Sequence, residues 1–492
     1  MDLQQRKLTK DEWNSIEVPV DSEEQRIIRL IQNGYEDVGI RTNKTVSLLG
    51  YLKVIKSKDI DKYVFCKYLQ PDILIMFKKY GISSKAEIKY KTNTLKKADI
   101  IRFKNTDKHL NNDKGELFEF VLLDILDKMY YNKKKKSSSW LRYFYTIKTL
   151  LNYKVENCNK TFIQLLSLLI NELESNVDIV ELIEMGENII ERNSYILKYA
   201  DDELYEHQKK LFTFCKSENP KLIQYIAPTG TGKTMSPLGL SQKHRIIFMC
   251  AARHVGLALA KSAISCHKKV AFAFGCIDAE DIRLHYFAAK DYTVSRRNGG
   301  IGKVDNSVGD KVEIMICDIK SYIPAMYYML AFNDKKNIIL YWDEPTITLD
   351  YKKHEFHNII QNNWRENLIP NVVLSSATLP HREDMLPTIL DFQSRFENAD
   401  VYTITSYDCK KTIPLIEKEG FISMPHFISK DYNEIRQIAK HCLKHKTLMR
   451  YIDLGEAIRF IMFVNSNNYL TSDRYSVRKN FTNTSHVSMY NI

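Results

Sequence analysis

From about Leu222 onward, short apolar runs rich in β-branched residues alternate with longer stretches of helical period. The runs are Leu222–Ile226, Arg245–Cys250, Val270–Phe274, Val312–Cys317, Ile338–Trp342 and Asn371–Ser375. An unbroken apolar run fits a strand buried on both faces, whereas one wet face would give strict alternation. Strands of that kind separated by helices predict a parallel sheet covered on both sides. Between residues 278 and 310 the polar stretch Ser295–Gly302 predicts an exposed loop. Before Ala200 the period is helical. Ser22-Glu23-Glu24-Gln25 has capping-box spacing, and Ile27, Ile28, Leu30 and Ile31 follow it. Leu117–Tyr130, Phe162–Leu173 and Ile179–Ile190 carry the same period, while Lys133–Lys136 with Ser137–Ser139 predicts a solvated loop. The pattern divides the chain into a mainly helical N-terminal domain over 1–200, an α/β part over 201–395 and a shorter remainder over 396–492.

Composition narrows the class. Hydrophobic residues are 44% and charged residues 27% of 492, ordinary for a globular chain, which excludes wholesale disorder and collagen-like sequence. At about 100–200 residues per domain, the length allows two to four domains. No run reaches the ~18–20 apolar residues of a spanning helix; the best, Thr161–Ile170, is broken by Gln164 and Ser167. Met1–Trp13 lacks the apolar core of a secretory signal. An intracellular, soluble protein without a membrane partner is expected. The nine cysteines are scattered, with no pair spaced for a zinc knuckle or a thioredoxin-like site, so reduced, buried thiols are expected. Lys and Arg number 72 against 60 Asp and Glu, a net charge of +12. That balance suits a polyanion such as nucleic acid, although a Lys-, Ile- and Asn-rich chain also follows from AT-rich coding.

Three segments carry chemistry. Ala227-Pro228-Thr229-Gly230-Thr231-Gly232-Lys233-Thr234 follows a predicted strand and opens a predicted helix. In that context Gly230 and Gly232 let backbone N–H groups approach phosphates. Lys233 would reach the β- and γ-phosphates and the Thr234 hydroxyl would bind Mg²⁺. The first glycine of the general pattern is Ala227 here, and Pro237 is expected to bend the helix start. The bland alternative is a chance Gly-rich turn. Asp343-Glu344 ends the apolar run from Ile338. Beside a phosphate loop, Asp343 would hold Mg²⁺ and Glu344 would orient or deprotonate water; otherwise they are surface carboxylates at a strand end. Ser375-Ser376-Ala377-Thr378 ends the next run. Its hydroxyls either hydrogen-bond the acidic pair or merely cap the strand.

Together these segments resemble a superfamily 2 helicase of the DEAD/DEAH-like group. Ala227-x-x-Gly230-x-Gly232-Lys233-Thr234 matches that group's motif I, Asp343-Glu344-Pro345-Thr346 sits at motif II, and Ser376-Ala377-Thr378 is a literal motif III. Tyr205-Glu206-His207-Gln208 is similar to the upstream glutamine motif, in which Gln208 would contact adenine. Cys250-Ala251-Ala252-Arg253-His254 and Ile316-Cys317-Asp318-Ile319-Lys320-Ser321 sit at motifs Ia and Ib. That position implies nucleic-acid backbone contacts from Arg253, Lys320 and Ser321. The resemblance covers about Glu203–Pro380. It implies a RecA-like P-loop lobe with ATP and Mg²⁺ as cofactors. It also implies catalytic roles for Glu344, Asp343 and Lys233, metal ligation by Thr234 and Asp343, and coupling through Ser376, Ala377 and Thr378. The implied function is an ATP-dependent helicase or translocase that binds RNA or DNA without sequence preference. The residue bias resembles helicases of large DNA viruses, which implies a virion or host cytoplasm.

Two departures keep alternatives open. Thr346 stands where the group has Asp or His, and Asp343-Glu344-Pro345-Thr346-x-x-Leu349-Asp350 also matches an ABC-type ATPase. Against that reading, no Leu-Ser-Gly-Gly-Gln-like signature precedes Asp343. No Gly-Arg pair occurs for a second-lobe arginine finger, and only 114 residues follow Thr378. The 396–492 segment is therefore expected to be a partial or divergent second lobe of a truncated or split chain. An arginine finger is worth about 10³–10⁵ in rate, so nucleotide binding with feeble turnover is expected. A non-catalytic nucleotide-binding scaffold is the third reading.

Overall fold

The computed structural model describes residues 6–54, 56–82, 103, 110, 113–294, 301–348, 351–406, 454–488 and 491–492, with short pieces between 415 and 440. The chain forms two compact units, Met1–Arg41 with Asp202–Cys409, and Thr42–Asp201 with Lys410–Ile492.

The first unit is α/β. Its main sheet has eight strands, numbered along the chain. They are β1 (Lys221–Ile226), β2 (Arg245–Cys250), β3 (Val270–Ala273), β4 (Arg283–Leu284), β5 (Ile314–Asp318), β6 (Ile338–Asp343), β7 (Asn371–Ser376) and β8 (Asp400–Thr405). The spatial order is β8-β1-β7-β6-β2-β5-β3-β4. Every neighbouring pair is parallel except β3–β4. Side chains alternate across a strand, and here each side meets a core. Ile223, Tyr225, Ile246, Phe248, Ile339 and Tyr341 enter one; Leu222, Ile247, Met249, Leu340, Trp342 and Leu374 enter the other. That double burial is why the strands read as continuous apolar runs. Helices Glu206–Cys215 and Arg253–Ser265 cover the first face. Tyr322–Phe332, Glu355–Glu366 and Leu386–Arg395 cover the second.

The units differ from the division expected at residues 200 and 395. Residues up to Arg41 join the sheet. Ile16, Ile28, Leu30, Ile31 and Tyr35 bury in the same core as Phe212, Leu238 and Ile246. Helix Ser22–Glu36 is capped by Asp21, whose side chain accepts from Glu24 N, one residue earlier than the expected Ser22 cap. Asp400–Thr405, expected in a second lobe, is instead an edge strand of this sheet, paired with β1.

The second unit is mainly helical, with one short antiparallel pair, Leu415–Ile416 against Ile422–Met424. Phe118–Lys134, Trp140–Leu150 and Lys160–Glu174 enclose Leu122, Leu126, Met129, Phe144, Ile147 and Leu169. Lys133 and Lys134, expected in a loop, end the first of these helices. From the tail, helix Leu454–Ser466 joins a smaller core with Leu141, Leu182 and Ile183. In the first unit Ile301 and Gly302, also expected in a loop, lie in a strand Ile301–Val304 paired with Tyr292–Val294. Ser295–Gly300, Leu349-Asp350 and much of 407–453 lie outside the described residues. Among the described residues no helix is long and apolar enough to cross a membrane.

Candidate functional site

The carboxyl ends of three adjacent strands, β1, β7 and β6, deliver the candidate groups to one place. Such an edge is where open α/β sheets hold ligands. From β1 the chain enters the loop 227–234. Gly230 and Gly232 have φ of +84° and +74°, a region costly for any residue with a Cβ. A Cβ on Gly232 would also lie 2.9 Å from Gln208 Nε2. Thr231 Oγ1 donates to Pro228 O at 2.8 Å and closes the turn. The sequence predicts a helix at the loop's end. The loop instead runs into a 3₁₀ turn, Lys233–Met235, and then a five-residue helix, Ser236–Leu240, with Pro237 in its first turn. It therefore draws less support from a helix dipole than a long helix would provide.

β6 delivers the acids. Asp343 is 5% exposed. Burial, then repulsion from Glu344, pushes its carboxyl up to about 7, against the opposing pull of Lys233 and a Ser375 hydrogen bond. Glu344 leaves the strand at φ +50°, an uncommon conformation for a non-glycine residue, fixed by its N–H donating to Ser375 O at 2.8 Å. One carboxylate oxygen lies 3.3 Å from Lys233 Nζ. The other accepts from Ser376 Oγ at 2.5 Å. Ser376 Oγ in turn accepts from Thr378 N at 3.1 Å, and Ala377 and Thr378 are exposed. The structure thus brings Lys233, Asp343, Glu344 and Ser376 together.

Among the described residues no group of three His, Cys, Asp or Glu is placed to hold a metal ion. The donor set still suits Mg²⁺, which keeps several waters and takes one or two protein ligands plus phosphate oxygens. Asp343 and the half-buried Thr234 hydroxyl are the side chains that would hold it.

Other predicted residues are elsewhere engaged. Both ends of the Gln208 amide are taken: Oε1 accepts from Tyr205 N at 3.1 Å and Nε2 donates to Gly232 O at 3.2 Å. At 2% exposure it braces the loop rather than facing a base. Arg253 is 4% exposed and pairs with Glu12 at 2.6 and 2.8 Å. It also donates to the carbonyls of Arg6 and Lys7 and lies over Phe274. Ser321 is fully buried and accepts from Cys276 N at 2.8 Å. Two of the three expected nucleic-acid contacts, Arg253 and Ser321, are therefore corrected to structural roles. Lys320 is 42% exposed, 3.7 Å from Glu355, and remains accessible.

Sequence reasoning missed Tyr341. Its hydroxyl donates to Lys233 O at 2.9 Å and lies 3.1 Å from Ser375 Oγ, tying loop, acid strand and serine strand together. Inside an apolar run a tyrosine reads as core filler, so no sequence signal marks it. Glu12 had a signal, since Thr9-x-x-Glu12 has capping-box spacing and forms one. No protein-family model matches the chain, and no curated protein matches it.

Proposed function

We propose that this chain binds ATP with Mg²⁺ on a RecA-like sheet and hydrolyses it as a superfamily 2 helicase or translocase does. The observation that carries the reading is the convergence of Lys233, Asp343, Glu344 and Ser376 from three neighbouring strand ends. Lys233 binds β- and γ-phosphate oxygens, and in doing so gives up its contact with Glu344. Asp343 and Thr234 would hold Mg²⁺, which would supply neutralisation of phosphate charge. Glu344, released from the lysine and held by Ser376, orients the attacking water and accepts its proton. Ser376 and Thr378 relay the change at Glu344 to the exposed surface beyond β7.

A second reading is a nucleotide-binding scaffold that moves no strand. Burial of Arg253 and Ser321, two of the three expected nucleic-acid contacts, favours it. Titration with a fluorescent ATP analogue tests the nucleotide site. Loss of one charge-assisted phosphate contact costs about 1.5–3 kcal/mol, roughly 10- to 100-fold in affinity. Lys233→Ala binding as tightly as wild type would overturn the assignment. Turnover measured with and without single-stranded RNA or DNA separates the two readings: stimulation supports the translocase, and absence of turnover supports the scaffold.

A further inference from the structure

The helical unit contains a basic cleft that the nucleotide site does not use. A cavity of about 440 Å³ is lined by Lys56, Lys58, Lys62 and Lys160, with Ser57 and Gln164 among its polar walls. A smaller cavity of about 250 Å³ shares Lys56, Lys160 and Gln164 and extends past Asn157. Asp61 is the one carboxylate lining the larger cavity. It is buried and already spent: its oxygens accept from Lys160 N at 2.7 Å, Thr161 N at 2.9 Å and Thr161 Oγ1 at 2.6 Å. Glu119 likewise takes Asn159 N at 2.8 Å, and Asn159 Oδ1 takes Phe162 N at 2.9 Å. Every first-turn amide of helix Lys160–Glu174 is thus satisfied from within, so the helix start is not the seat of a ligand. What faces solvent is ammonium. Lys56 donates to Cys158 O at 2.8 Å. Lys58, Lys62 and Lys160 have no ion pair among the described residues.

We propose that this cleft binds the phosphodiester backbone of a nucleic-acid strand. Four lysines line one cleft whose single carboxylate, Asp61, is already engaged, and that excess of positive charge matches a repeating anion better than a small neutral ligand. Lysine presents a point charge rather than a planar fork, so the cleft grips phosphates and reads no bases. This assignment stands apart from the ATP reading, because none of its residues belongs to the nucleotide site.

The test is fluorescence anisotropy of a labelled, mixed-sequence single-stranded 20-mer with the full-length protein, without nucleotide, at 50 and 200 mM salt. The variant replaces Lys58, Lys62 and Lys160 with Ala. Each phosphate contact contributes about 0.7 to the slope of log affinity against log salt on a single strand. Three lost contacts remove about 2, so the fourfold salt step costs wild type roughly twentyfold more affinity than it costs the variant. A control triple, Lys311→Ala, Lys335→Ala and Lys336→Ala, removes the same charge at exposed positions of the sheet unit and should keep the wild-type slope. The corresponding Lys→Arg triple in the cleft should also keep it. Lys233→Ala should bind the strand like wild type, so failure of the nucleotide site leaves this result readable. An unchanged slope in the cleft variant, or an equal loss in the control triple, overturns the proposal.

Discussion

Neutralising Glu12 should loosen the N-terminal segment by a calculable amount. Glu12 pairs with the buried guanidinium of Arg253 and accepts from Thr9 N at 2.7 Å. The Arg253 hydrogen bond, chiefly, holds its carboxyl at about 2 against an ordinary 4.5. That difference is worth at most ~3.4 kcal/mol. The side chain is 18% exposed, and solvent screening lowers the figure to ~1–2 kcal/mol. Glu12→Gln keeps the shape and loses the charge. Helix Lys10–Ile16, including Trp13 packed edge-on to Phe272 at 5.0 Å, should then open about 5- to 30-fold more often at pH 7. Hydrogen exchange of peptides spanning residues 9–20 reads this directly. A depressed carboxyl stabilises fully above about 4.5 and loses its contribution as pH falls towards 2. More than half is gone by pH 3, where the variant-to-wild-type ratio should shrink to about two- to fourfold. Equal exchange at pH 7, or a ratio that does not change with acid, refutes the role assigned to the pair.

Three further outcomes are expected at the nucleotide site. Glu344→Gln should cut any ATP turnover by about 10²–10⁴ while nucleotide still binds; unchanged turnover in a phosphate-release assay removes Glu344 as the base. Ser376→Ala removes the 2.5 Å donor to Glu344, so turnover should fall roughly tenfold at unchanged ATP affinity, and a change in affinity alone would count against a positioning role. Gly232→Ala should destabilise the nucleotide-free protein more than Gly230→Ala in thermal unfolding. Both positions have positive φ, at a cost of about 1–2 kcal/mol, but only the first Cβ meets a neighbour, Gln208 Nε2 at 2.9 Å.

Local pattern alone determined most of the sheet. Runs such as Arg245–Cys250 and Ile338–Trp342 could be read because both faces of each strand are buried, and burial writes itself into consecutive residues. The 227–234 loop, the acids at 343–344 and the serine at 376 were legible for a related reason. Each sits at a strand end, where the change from apolar to polar marks the edge of the sheet. Tertiary structure alone decided what those residues touch. Nothing along the chain shows that β7 lies between β1 and β6, yet this order sets Ser376 against Glu344. Arg253 looked available because its position after β2 is a loop-to-helix start. It is buried because a carboxylate 241 residues earlier folds onto it. Residues 1–41 read as part of a helical domain because a helix's apolar stripe reveals that it is covered and not by what. Partner choice between distant segments depends on three-dimensional complementarity, which no local window contains.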